Sequence, residues 1–424
     1  MRVSGRSGVL RTLRHLSALS FIASVGCGSA RAPSNEQGGT SGSSSAGTGG
    51  ARAETGGTAN GGQPELVVPD ENAGSANATR CTSDLRSVVN DSGVAVKECP
   101  PDQGCANGVC LAACDAAAKS RGSVGCEFFA LDPPSEWNGQ PGQVPPEDAF
   151  CYAVFLANGW NRSAKLTVSR AGQNLDVRAF ARIPRGSGAQ VQYEALPETG
   201  LPANEVAVLF LSRKLSLAAT EQPGPYCPVA PAIEEDAAIW STGRGLAFHI
   251  TSDTPLSAYD IAPYRDLDAG AASATLLLPA PTWGTNYIAV APNPVLDLES
   301  AVNPIPGRLW TTIVAMEDET TVRVSPSVPF PSAPSGTLPS VAPAAVGAVT
   351  EYKLQAGEAI QWQQAVADGM QQSPDPSGSV FESEKPFGLW TGNTRLTVPS
   401  ATGPFQNRVD AEHEQLPPVH ALGS

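Results

Sequence analysis

The 424-residue sequence predicts an all-β protein: tandem antiparallel β-sandwich-like modules behind a small disulfide-rich segment and a disordered N-terminal linker. Three observations carry this prediction. A set of three segments occurs twice, in the same order. Period-two apolar runs recur from about residue 127 onward. And 38 prolines with 42 glycines punctuate those runs and discourage long helices.

In the first copy of the repeat, Leu201–Val208 leads to Ile250–Tyr259 and then to Leu276–Thr285. In the second, Leu354–Gln361 leads to Phe381–Trp390 and then to Leu416–Ser424. Repeats in a fixed order describe architecture. Their spacing, on the order of 130–155 residues, is too long for a propeller blade and suits a sandwich-sized unit.

Taken in order, residues 1–26 read as an export signal. Arg2, Arg6, Arg11 and Arg14 precede an apolar stretch, Leu16–Val25, of about ten residues, too short to span a bilayer. Ser24-Val25-Gly26-Cys27 resembles a bacterial lipobox, with Ser24 where Leu is usual, and predicts that Cys27 is lipidated and becomes the mature N-terminus. Signal-peptidase cleavage just downstream, for instance after Ala30, is the alternative. Residues 27–80 form the linker. Its Gly38–Gly62 tract cannot bury enough apolar surface to offset its ordering entropy, so it reads as a spacer that lifts a folded head off a membrane.

Beyond Cys27 there are eight cysteines, an even count that implies disulfides in an exported chain. Cys81, Cys99, Cys105, Cys110, Cys114 and Cys126 crowd into residues 81–126, enough for three local bridges. Cys151 and Cys227 are left for each other. That segment is too short to own a core and needs staples. No Cys-x-x-Cys spacing occurs and all four histidines lie far away in sequence, so no metal is expected. Ala-rich Leu111–Ser120 reads as a short helix.

A first β module is expected over 127–300 and a second over 301–424. Tyr152–Ala157 and Leu166–Ser169 look like paired strands around a turn at Asn158–Asn161. Trp310–Met316 and Thr320–Ser325 look the same around Glu317-Asp318-Glu319. After Leu276–Thr285 an apolar strand, Asn286–Ala291, follows at once, whereas Leu416–Ser424 has no such sequel. The second module is therefore expected to be incomplete, with an open sheet edge.

Net charge is −14, and four charges lower once the signal arginines are removed. This argues against nucleic-acid binding, which needs a basic patch. Neither a Gly-x-Ser-x-Gly elbow nor a phosphate loop occurs. His413-Glu414 opens like a zincin helix, but Pro417-Pro418 would break it. Asp266 and Asp268 suggest a calcium loop without its closing acid, and read better as a polar turn. Glu317–Glu319 reads as a solvated hairpin tip, and His249 as a surface-facing or hydrogen-bonded strand residue. Trp283, Trp310, Trp362 and Trp390 could form a carbohydrate-stacking surface, although buried tryptophans are commoner in sandwiches.

Several of these segments carry a resemblance. Cys126–Asp132, Tyr152–Asn158, Ile250–Tyr259, Leu276–Pro279 with Gly284–Tyr287, Val314–Val322 and Glu414–Pro418 resemble, in order, the IgGFc-binding protein N-terminal domain. The resemblance spans roughly 126–424, and the lead-in is similar to that of myxobacterial surface lipoproteins carrying this domain. It implies a binding fold with no catalytic residues to carry over. For bacterial members it implies the fold rather than immunoglobulin as the ligand. The resulting expectation is a non-catalytic, lipid-anchored binding or adhesion protein of the outer membrane or cell surface, with no cofactor. Its partner would be an unknown protein or glycan, without nucleic acid, and it would meet the membrane through the lipid anchor only. A purely structural envelope protein is the runner-up, and a glycan-active hydrolase comes third.

Overall fold

The structure, a computed structural model, describes residues 79–134, 151–213, 227–264, 272–292, 307–336, 338–366, 373–396 and 410–422. All of them belong to the unit Asn72–Ser424. Cys27, the linker as far as residue 78, Asp266 and Asp268 lie outside the described residues, and Arg80, assigned to the linker, opens the first strand.

The cysteine-rich segment folds as a small cap. Strands β1 (Arg80–Cys81), β2 (Ser87–Val89) and β3 (Ala95–Glu98) form one sheet; β4 (Gln103–Ala106) and β5 (Val109–Ala112) form a hairpin. The hairpin turns at Asn107-Gly108, both at positive φ, as a tight two-residue connection requires. Disulfides Cys81–Cys105 and Cys99–Cys110 hold these strands together. Helix α1 (Ala113–Ser120) buries Ala113, Ala116 and Ala117, and Cys114–Cys126 ties it to the strand that follows. Leu111 and Ala112, assigned to the helix on composition, belong to β5.

The first large sheet uses β6 (Val124–Ala130), β7 (Tyr152–Ala157), β8 (Leu166–Arg170), β9 (Gln173–Leu175), β10 (Ala181–Arg185), β11 (Gln192–Ala195) and β12 (Val206–Ser212). Strand β13 (Gly243–Leu246) then departs to the second sheet, and β14 (Phe248–Ala262) and β15 (Ser273–Leu277) complete the first. The second sheet uses β16 (Gly284–Ile288), β17 (Leu309–Ala315), β18 (Thr320–Ser325), β19 (Thr350–Leu354), β20 (Glu358–Gln363), β21 (Val380–Leu396) and β22 (Asp410–Leu416). Among the described residues the strand orders are β11-β10-β12-β7-β14-β8-β9 and β13-β20-β17-β21-β18-β19. Strands β6 and β15 also pair with β14, and β16 and β22 with β21. Every pairing within them is antiparallel. The protein is thus all-β, with tandem sandwich-like antiparallel modules behind a disulfide-rich cap.

Each sheet is organised by one long strand. The first part of β14 lies between β6 and β8, and its last part between β7 and β15. Strand β21 does the same with β16 and β18, then β17 and β22. The handover falls at Pro255 in one and Pro386 in the other, where a residue without an N–H interrupts the ladder. The expected hairpins β7–β8 and β17–β18 are therefore not formed. The long strand enters between each pair, because a buried central strand must satisfy its backbone along both edges.

The repeat is exact in register. Ile250 pairs with Phe128 and Val168, and Phe381 pairs with Tyr287 and Val324. Ser257 pairs with Ala157, and Gly388 with Val314. Ala258 pairs with Leu277, and Leu389 with Leu416. Gly125 faces Leu256 as Gly284 faces Phe387, and a Cβ on either glycine would collide with a proline, Pro279 or Pro418. Strand β16 is accordingly the counterpart of β6 and belongs to the second sheet. It is not a terminal strand of the first sheet that the second then lacks. Sheet membership changes at Gly284, ahead of residue 301.

One edge differs between the copies. Strand β10 covers the edge of β12, but the connection from β19 to β20 is three residues, 355–357, and has no room for such a strand. Strand β13 fills that edge instead, with Gly243 opposite Gln361 and Leu246 opposite Glu358. Arg244 seals it, reaching Glu358 Oε2 at 3.4 Å and donating to the Lys353 carbonyl at 3.1 Å. Inside the second module Trp362 is the hub, with Phe330, Tyr352 and Phe381 centred 5.3, 4.9 and 6.2 Å away. The first module's core is continuous with Trp310, Val314, Ala359 and Trp390 on the outer side of the second, whose own core is a separate cluster.

Candidate functional site

Where the modules meet, β15 and β22 lie against each other and a buried polar cluster joins them. Asp260 on β14 and His413 on β22 are 0% and 1% exposed. His413 Nε2 lies 2.7 Å from Asp260 Oδ1, and His413 Nδ1 lies 2.6 Å from Ser273 Oγ. Tyr152 Oη donates to Asp260 Oδ2 at 3.1 Å, and the Thr275 N–H donates to Oδ1 at 3.2 Å. The His413 N–H donates to Ser273 Oγ at 3.1 Å. Alongside, Thr275 Oγ1 donates to Glu414 Oε2 at 3.0 Å, and the Leu278 N–H donates to Gln415 Oε1 at 2.6 Å.

These residues arrive together because β15 and β22 are the edge partners of the two long strands. Ser273 and Thr275 alternate on one, His413 and Gln415 on the other, each pair on one face. Serine, histidine and aspartate are the residue types of a nucleophilic triad. Here, however, Ser273 Oγ is buried and is engaged by both the ring and the main chain of His413. The geometry is that of a clasp between modules: His413, Glu414 and Gln415 of one strand meet Asp260, Ser273, Thr275 and Leu278 of the other module. His413 and Glu414 lie on a strand, not on the helix a zincin would need.

A second buried acid sits in the first module. Asp132 Oδ2 accepts a 2.7 Å bond from Ser212 Oγ. Burial pushes the Asp132 carboxyl well above the usual carboxylate range, with the Ser212 bond opposing and the charges of Asp236 and Asp260 adding to it. Burial raises the Tyr152 hydroxyl in the same way, helped by Asp260.

Trp283, Trp310, Trp362 and Trp390 are all buried, so they supply no carbohydrate-stacking surface. Trp283 instead packs edge-on against Trp390 at 5.6 Å and against Phe129 at 5.2 Å. The Glu317–Glu319 tip is a solvated turn. Glu319 pairs with Lys353 and accepts from Gln355, which lowers its carboxyl, and Lys385 donates to the Asp318 carbonyl at 2.6 Å. His249 stacks on Phe129 at 4.5 Å and contacts Glu127 at 2.8 Å. The last disulfide joins Cys151 to Cys227 with a Cα separation of 5.1 Å. Among the described residues no group of three or more acidic, histidine or cysteine side chains could hold a metal. Nor is any helix among them long and apolar enough to cross a membrane.

Sequence reasoning missed the Tyr152–Asp260–Ser273–His413 clasp, having weighed His413 only as a possible zinc ligand. The available signal was Asp260 itself, a carboxylate inside the apolar run Leu256–Ile261, where an unpaired charge would be costly.

The family model described as IgGFc binding protein matches residues 273–424. That span holds β15 and, apart from β13, the whole second sheet. No curated protein and no solved structure matches the chain.

Proposed function

We propose that the chain is an exported cell-surface binding protein of adhesion type, non-catalytic, lipid-anchored through Cys27, with a protein or glycan ligand. The observation that carries this reading is the family match over 273–424, which falls on a binding-type domain. Two further features support it. Four disulfides fit a fold made in an oxidising compartment. The register-exact repeat extends the same strand set to the first module. In this reading residues 1–26 are the signal peptide, 27–80 the spacer and 81–126 the cap of the head. The myxobacterial-type lipoprotein assignment belongs to the same proposal.

The test is an array of glycans and proteins, immunoglobulin G among them, probed with the purified Cys27→Ser chain. Selective, saturable binding to one class is expected. Uniform silence would favour the second reading, a structural envelope protein. That reading draws on the burial of Trp283, Trp310, Trp362 and Trp390, the four weighed as a stacking surface. Anchoring is tested separately by mass spectrometry: an unmodified N-terminus downstream of Cys27 would remove the lipid from the proposal. Glycan hydrolysis, which commonly uses two carboxylates across a cleft, finds less support, since Asp132 and Asp260 are hydrogen-bonded inside the protein.

A further inference from the structure

The contact between the two modules joins different faces of equivalent units. On the first module it uses the outer side of β6 and the turn after β15: Phe129 and Trp283. On the second it uses the outer side of β17, β20 and β21: Val314, Ala359 and Trp390, which cluster with them. Such a head-to-tail contact leaves one copy of the β6-type face free, and of the other face the part beyond the Ala153–Val208–Phe210 cluster, which Tyr193, Tyr264 and Cys227 cover.

The preserved register identifies the free counterparts. In the second module Phe129 corresponds to Ile288 and Trp283 to Leu422, which are 46% and 67% exposed. Val290, just past Ile288, is 63% exposed. In the first module Trp390 corresponds to Tyr259 and Ala359 to Val206, which are 48% and 37% exposed. Ten large hydrophobic side chains are exposed among the described residues, and these two faces hold five of them, so the exposure is concentrated rather than scattered.

We propose that these faces bind each other between copies of this chain. The Tyr259–Val206 face of one copy docks on the Ile288–Val290–Leu422 face of the next, repeating between molecules the part of the internal contact made by Trp390 and Ala359. The polar clasp is not repeated, because Asp260, Ser273 and His413 correspond to Thr391, Glu412 and Ala274. The intermolecular contact therefore rests on apolar side chains and is reversible. Each copy carries a net charge of −14, so salt strengthens the association by screening repulsion.

Sedimentation velocity of the full Cys27→Ser chain over a concentration series, at low and high salt, tests this. Mass should rise with concentration and further with salt. Tyr259→Arg and Ile288→Arg each destroy one face, and both sites are exposed, so melting midpoints should match the parent. Each variant alone should remain monomeric. Mixed, they should form a one-to-one dimer and nothing larger, since each supplies the face the other lacks. Val206→Lys and Leu422→Asp provide an independent pair with the same expectation. A parent chain that stays monomeric throughout overturns the proposal, as does a single variant that associates like the parent. So does a mixture that stays monomeric, because like-with-like pairing cannot be complemented in this way.

Discussion

Replacing His413 with alanine probes how much the clasp contributes to holding the two modules together. The imidazole gives Asp260 its shortest contact, at 2.7 Å, and Ser273 Oγ one of its two partners. Removing one member of a buried pair costs about 3–5 kcal/mol, because the remaining group stays desolvated. Asp260 keeps the Tyr152 hydroxyl and the Thr275 N–H, which places the expected loss near the lower end, about 3 kcal/mol. Ser273→Ala should cost less, about 2 kcal/mol, since it removes both Ser273 bonds to His413 but leaves Asp260 served. The assay is urea unfolding at neutral pH with disulfides intact. Tryptophan fluorescence is a direct reporter, because Trp283 and Trp390 meet edge to face across the join. Since the first module's core extends into the outer face of the second, parent and variants should each show a single transition. A His413→Ala loss below about 1 kcal/mol would show that the cluster is not holding the modules, since even an ordinary hydrogen bond contributes that much.

Three other outcomes follow from the same geometry. Asp132 keeps its proton in the folded protein to a higher pH than in the unfolded chain. Its stabilising contribution is therefore full below about pH 4 and is lost as pH rises toward the folded value, at about 1.4 kcal/mol per unit. Asp132→Asn cannot titrate, so it should flatten that decline in a denaturation series across pH; parallel profiles for parent and variant would refute it. Replacing both Cys151 and Cys227 with alanine opens a link of sequence separation 76. The loss should be about 4 kcal/mol in the chain-entropy picture, read from the shift in denaturant midpoint. Gly284→Ala drives a Cβ into Pro418 and His420, and should cost about 1–3 kcal/mol by calorimetry, as overpacking does. A neutral result there would mean that the turn after β22 yields easily.

Much of the architecture was legible in the residues alone. Alternation marked β7, β8, β17 and β18, though not the cap strands, β10 or β13, and the ordered repeat marked two equivalent modules. The even cysteine count called for disulfides. Alternation reports which side of a strand is buried, and Phe128, Ile250 and Val168 line one inner row as that pattern requires. It does not report which strand lies alongside. Backbone donors and acceptors are the same at every residue, so β7 and β8 read as well for a hairpin as for two strands parted by β14.

Only the tertiary structure settled the assignments that depend on neighbours. Strand β13 sits in the second sheet because the short β19–β20 connection leaves an edge open there. Strand β16 begins the second module because Gly284 fits under Pro418 as Gly125 fits under Pro279. The clasp formed from Asp260, Ser273 and His413 spans residues up to 153 positions apart. No local pattern encodes such a meeting; it exists because two edge strands, each placed by its own long partner, are brought face to face when the modules pack.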